Sequence, residues 1–294
     1  MNAQPEPTPP AAELPDDAND LRGFHFQRLI RKPLTIWLLA GLTLAAGIGG
    51  ALAVGAAIGI PAAVVVLLVG VGVVFAIADS KAADSFFEVY ARQRGLTLGG
   101  KAPLPAATPL LRKGDDRYAD RTLTGAIAPG CEGTVALYTY EEVSYDGKGN
   151  RETSYYHYTL GMVEVPECAA DLPELYCQRK FGLRSLEKFE DVFRRSKERV
   201  KLESEVLDEM YEIFAGERQD PVWLHQLFAP TFIVWLTEAA PEKFAFELVN
   251  GALCCYVNGH TEDAAGLDAI AAATAEVTKR LREEAAESDA GESA

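Results

Sequence analysis

Three side chains in the middle of the chain could do acid–base chemistry: Glu141, Glu142 and His157. A carboxylate held near an imidazole can orient it, stabilise its cation and set it up to exchange protons. Whether they meet depends on strand register. The alternation of residues predicts strands over Gly133–Tyr145 and Glu152–Val165, with Asp146-Gly147-Lys148-Gly149-Asn150 as the turn. A hairpin symmetric about Lys148 sets Glu141 opposite Tyr155 and Thr139 opposite His157. Glu141 and His157 then lie diagonally on one face. The competing expectation is an exposed sheet face of mixed polar and aromatic residues with no catalytic role, since a slip of one residue would separate the pair.

The remaining chemistry-bearing residues argue against an enzyme more than for one. There are only four histidines, widely spaced. The cysteines number five (Cys131, Cys168, Cys177, Cys254 and Cys255), with no C-x-x-C pair. Neither a zinc site nor a disulfide framework is indicated. Buried reduced thiols in a reducing compartment fit better, with Cys254 and Cys255 on opposite faces of one strand. Phosphate-loop, dinucleotide, zinc-protease and serine-elbow motifs are missing. The sequence implies no metal, no cofactor and no catalytic residue.

Charge is more informative. The chain carries a net −15 over 294 residues, which disfavours nucleic acid as a partner. Gln178–Lys201 reverses that sign locally, with nine basic against four acidic side chains. Arg179, Lys180, Arg184, Lys188, Arg194, Arg195 and Lys197 could face the anionic headgroups of a nearby leaflet, at about 1 kcal/mol each. A solvated helix laced with ion pairs is the alternative.

What must position all of this is set by the stretch Leu34–Ala78, 45 residues with no charge and no histidine. As one helix it would extend about 68 Å, against roughly 30 Å of bilayer hydrocarbon. The sequence therefore predicts two spans, near Leu34–Ile58 and Ala62–Ala78, reversing at Gly59-Ile60-Pro61. Arg22, Arg28, Arg31 and Lys32 precede the first span, and Lys81, Arg92, Arg94 and Lys101 follow the second. Cations on both flanks and none at the turn place both termini in the cytoplasm. Small residues recur every four positions: Gly41, Ala45, Gly49 in one row and Gly47, Ala51, Gly55 in another. Such rows pack the two spans on each other or on a second copy.

The expected organisation is a disordered, Pro-rich acidic tail (1–21), a transmembrane helical hairpin with basic flanks (22–79), a juxtamembrane helix (80–100), a cytoplasmic α+β domain (101–284) and a second disordered tail (285–294). No cleavable signal peptide is evident at the N-terminus. Within the domain, further strands are expected at Thr122–Ile127, Val200–Glu203 and Tyr211–Ala215, and a hairpin at Phe244–Val249 and Leu253–Val257 turning on Asn250-Gly251. Helices are expected from Asp220-Pro221 to Ala239, interrupted at Pro230, and from Thr261 onward, where Leu267, Ile270, Ala271, Val277 and Leu281 form a stripe that Thr274 interrupts. The fold class is α+β, with mainly antiparallel pairing and helices packed on the sheet.

The stretches FFEVYARQRGL (Phe86–Leu96), VKLESEVLDEMYEIF (Val200–Phe214), LFAPTFIVWL (Leu227–Leu236) and FELVNGALCCYV (Phe246–Val257), in this order after two adjacent spans, resemble a bacterial family of two-span inner-membrane proteins of unknown function. The resemblance extends over most of residues 30–285. It implies the topology above and transfers no activity or site residue. The expected function is a multi-pass inner-membrane protein whose cytoplasmic domain is an interaction module, with membrane lipid, protein partners or a second copy as binding partners. The alternatives are a membrane-surface enzyme using Glu141, Glu142 and His157, or an intramembrane oligomer.

Overall fold

The structure, a computed structural model, describes residues 41, 43–45, 48, 56–180, 198–202, 204–216 and 221–292. It divides into two compact units, Met1–Tyr90 with Glu262–Ala264, and Ala91–Thr261 with Ala265–Ala294.

Among the described residues of the first unit the main element is helix α1 (Ala56–Arg94), which carries the chain on into the second. The expected reversal at Gly59-Ile60-Pro61 does not occur, because α1 runs through all three residues. Pro61 lies inside α1, where a proline costs about 3 kcal/mol and kinks a helix but does not force a reversal. The juxtamembrane stretch from Ser80 continues the apolar segment within α1 without a break. The helix ends at Gly95, where φ of +67° and the bond from Leu96 N–H to Ala91 O form a Schellman cap. Along α1, Val64, Val65, Leu67, Leu68, Val69, Val71 and Val73 are all exposed, while Phe86, Phe87 and Tyr90 are buried. Among the described residues, no helix is long and apolar enough to cross a membrane. Most of the expected first span lies outside them.

The second unit is built on one nine-stranded, wholly antiparallel sheet. In chain order the strands are β1 (Thr97–Gly99), β2 (Asp116–Ala128), β3 (Cys131–Tyr145), β4 (Arg151–Glu164), β5 (Glu174–Arg179), β6 (Glu198–Val200), β7 (Tyr211–Ala215), β8 (Ala245–Val249) and β9 (Ala252–Asn258). Their spatial order is β1-β2-β3-β4-β9-β8-β5-β7-β6. The β3–β4 register is the one read from the turn: Thr139 pairs with His157 and Glu141 with Tyr155. Asp146 fixes that turn by accepting from the backbone N–H groups of Lys148 and Asn150. The β8–β9 turn has Asn250 and Gly251 both at positive φ, 49° and 82°, as tight hairpins require.

Helices cover both faces. On one face Tyr138, Tyr140, Tyr158, Leu160, Cys254 and Tyr256 pack with Leu110 and Leu111 of the short helix α2 (Pro109–Arg112). Glu247, 1% exposed, reaches this layer from β8 and accepts from Leu110 N–H and Tyr256 O–H. It caps α2 from across the sheet. The opposite face carries the terminal helix α6 (Ala264–Glu292), in which Leu267, Ile270, Val277 and Leu281 are buried. Thr274, the interruption in that stripe, is itself fully buried: its hydroxyl donates to Ile270 O, and its side chain lies against Gly161 of β4. A polar residue fits the apolar face because its own helix satisfies it. The tail expected to be disordered from 285 is helical through Glu292, with Ala285 buried.

Smaller elements join the far strands. Ser204 caps α3 (Glu205–Met210) through Leu207 N–H. Pro230 divides the next helical stretch into α4 (Pro221–Leu227) and α5 (Pro230–Val234), followed by a π-turn over Trp235–Ala239. Trp223 is buried, Trp235 stacks on Phe232 at 5.5 Å, and both serve the core. His225 of α4 is exposed.

Candidate functional site: a shared hydroxyl between two histidines

The register brings His157 beside Thr139, and two further residues join them. In β2 the pairing slips between Ala119 and Arg121, so Asp120 is the extra residue of a β-bulge. Bulges re-aim side chains; here the Asp120 carboxylate accepts from the Thr139 hydroxyl at 2.9 Å. His260 follows β9 in the loop leading to α6. That loop is pinned by Gly259 N–H donating to His157 O, Thr159 O–H to Gly259 O, and Thr261 N–H to Thr159 Oγ1. Gly259 has φ of +94°, a conformation glycine adopts without strain. The result places the His157 and His260 rings 4.6 Å apart, edge to face.

The hydrogen bonds fix the tautomers. A carboxylate only accepts, so the single Thr139 hydroxyl proton points to Asp120. His157 Nδ1, 3.0 Å from Thr139 Oγ1, must therefore donate. His260 Nε2 lies 3.1 Å from Tyr138 O and 3.3 Å from Thr139 Oγ1, and both can only receive from it. Each ring directs its N–H inward. His157, which is exposed, keeps a bare Nε2, and His260 a bare Nδ1. Burial holds the His260 pKa below its ordinary 6.5, and neighbouring His157 pushes the same way. The Tyr138 carbonyl and Asp120, 3.8 Å away, oppose that shift.

Glu141 and Glu142 do not join the cluster as acid–base partners. Glu141 accepts from Tyr118 O–H at 3.2 Å, which together with burial raises that phenol to about 12. Glu142 points to the other face and lies 4.0 Å from the ammonium of the buried Lys113. Asp120, in place of Glu141, is the carboxylate linked to His157. Sequence spacing gave no access to Asp120 or His260: the first depends on a bulge and the second on a loop over a hundred residues downstream. Among the described residues, no group of three or more His, Cys, Asp or Glu is arranged to hold a metal ion.

Thr139 at the centre of the cluster is buried, whereas His157 is exposed on the sheet. An open groove of about 610 Å³ lies elsewhere, between the β2–β3 turn and α6, with Pro129, Cys131, Ala275, Lys279 and Arg282 among its walls. Cys131 and Thr139 are separated by eight positions of one strand, about 27 Å, so the groove does not serve the histidines.

Of the expected lipid-facing cations, Arg179 lies over the Tyr211 ring at 5.8 Å, and Lys180 donates to Asp208 O. Arg184, Lys188, Arg194, Arg195 and Lys197 lie outside the described residues. In the small-residue rows, Gly41 and Ala45 are helical, while Gly47, Gly49, Ala51 and Gly55 lie outside the described residues. A Cβ at Gly41, or at Gly72 of α1, would meet no atom within 4 Å. All five cysteines are free and buried, with burial raising the thiol pKa of each.

No family model matches the chain, and no match is found among curated proteins or solved structures. The family resemblance carried by Phe86–Leu96 and the other three stretches gains nothing from these comparisons.

Proposed function

We propose that the protein is anchored in a bilayer by its uncharged N-terminal segment, with both termini in the cytoplasm, and that its sheet unit acts there as an interaction module. One observation carries the reading: Val64, Val65, Leu67, Leu68, Val69, Val71 and Val73 are exposed on successive turns of α1. These positions cover about two thirds of the helix circumference, and the remaining side, with Val66 half-buried and Val74 buried, is apolar as well. A helix apolar on all sides needs either a protein interior or a membrane around it. Lipid hydrocarbon is the surrounding that also agrees with the flanking cations. Alkaline carbonate extraction of cell membranes tests this. Full-length protein staying in the pellet is expected, and quantitative release would overturn the reading.

Among the described residues, Glu141 and Glu142 sit on opposite faces and His157 is exposed, so these three side chains do not converge on one pocket. The partner we favour is anionic lipid contacted by Arg184–Lys197, which carries five basic against three acidic side chains in a chain of net charge −15. Flotation of the full-length protein is uninformative if the anchor alone floats it. The test is therefore the accessibility of this segment to protease in liposomes with and without phosphatidylglycerol. Protection by the anionic lipid is expected, and equal cleavage in both would refute the contact.

A further inference from the structure

The histidine pair has an uneven capacity for protons. His157 and His260 each hold one N–H toward the centre, so an added proton goes to the outer nitrogen, Nε2 of His157 or Nδ1 of His260. None of the existing hydrogen bonds is broken by this. What changes is charge. Asp120 on β2 and His157 on β4 are the charged or titratable groups acting on His260, and β3 contributes the neutral Tyr138 carbonyl and Thr139 hydroxyl. A first positive charge is matched by the Asp120 carboxylate. A second falls on a ring 4.6 Å from the first, and the nearest further carboxylate on that face, Glu141, diagonal to His157, is already bonded to the Tyr118 hydroxyl.

Repulsion acts on whichever ring can move. His157 belongs to a strand paired to β3 along its length, at the Thr139 position. His260 belongs to a loop without strand pairing, held by its bond to Tyr138 O and the bonds of Gly259 and Thr261 to β4. The loop is the weaker partner. We propose that His157 and His260 form an acid-responsive latch: with at most one added proton between them the Gly259–Thr261 loop is closed on β4, and with two it opens. This goes beyond the anchoring reading and does not depend on it.

Hydrogen exchange on the full-length protein in detergent micelles tests the latch, read on peptides covering residues 257–263 at pH 7.5 and pH 5.0 and corrected for the intrinsic pH dependence of exchange. Wild type is expected to lose about tenfold or more of its protection there at pH 5.0, while the central strands keep theirs. His157→Gln carries one charge fewer and is expected to stay protected. Asp120→Asn keeps an acceptor for Thr139 but lacks the compensating charge, so its loop is expected to open at higher pH than wild type. Unchanged wild-type protection at pH 5.0 would overturn the proposal, as would equal loss in His157→Gln. Should His157→Gln fail to fold, wild type and Asp120→Asn opening at the same pH would overturn it as well.

Discussion

A single hydroxyl organises the polar cluster, and a single missing Cβ seats the terminal helix. Gly161 and Thr274 are matched in this way: a methyl group at 161 would fall inside contact distance of Thr274 Oγ1 and close to its Cβ. Gly161→Ala is expected to lower stability by about 1–3 kcal/mol through overpacking. Adding Thr274→Ala should return most of that loss in a denaturant double-mutant cycle; additive losses would show the two sites to be uncoupled. His260 makes stability depend on pH. Its folded pKa lies below the ordinary 6.5, so the folded state favours the neutral ring. That contribution is fully present above about pH 6.5 and is lost as pH falls from there toward the depressed folded value. Urea unfolding of wild type and His260→Gln at pH 7.5 and 5.5 should show the larger acid-induced drop in wild type. Sequence alone made the Thr139–His157 pair legible, because turn chemistry fixes a register. It could not reach Asp120, since no local signal marks a bulge that re-aims a carboxylate.

Elements are stabilised here by partners distant in sequence. The short helix α2 has Thr108 before it but no side-chain cap of its own; Leu110 N–H is satisfied by Glu247 from β8. Glu247→Ala would strand that amide and the Tyr256 hydroxyl in the core, at an expected cost of about 3 kcal/mol, measurable by chemical denaturation. Glu247→Gln retains an acceptor and should cost less. Strands flanked by turn residues were readable, from the Asp146–Asn150 hairpin to Asn250-Gly251 and β7. Helix α3 was not, because six residues between two strands give too short a window for periodicity to register. The turn read at Gly59-Ile60-Pro61 failed for a related reason: glycine and proline permit a reversal, but a long apolar helix tolerates both.

At the scale of the whole molecule, the exposed apolar collar of α1 and the all-antiparallel sheet unit make different demands on their surroundings. The sheet unit buries Tyr138, Tyr140, Tyr158, Tyr176, Tyr211 and Tyr256, all five cysteines and the apolar stripe of its terminal helix, so removal of residues before Ser80 is expected to give a soluble folded protein. Recovery only as aggregate under varied conditions would contradict that. The α+β class and antiparallel pairing were legible from alternating strands and turns. The expected first span, near Leu34–Ile58, lies mostly outside the described residues. The most direct test of bilayer anchoring is a nitroxide label on Leu68→Cys in full-length protein reconstituted in liposomes, with accessibility to oxygen compared against a water-soluble nickel chelate. High oxygen and low nickel accessibility is the predicted result. The reverse order, a label open to nickel, would contradict the account.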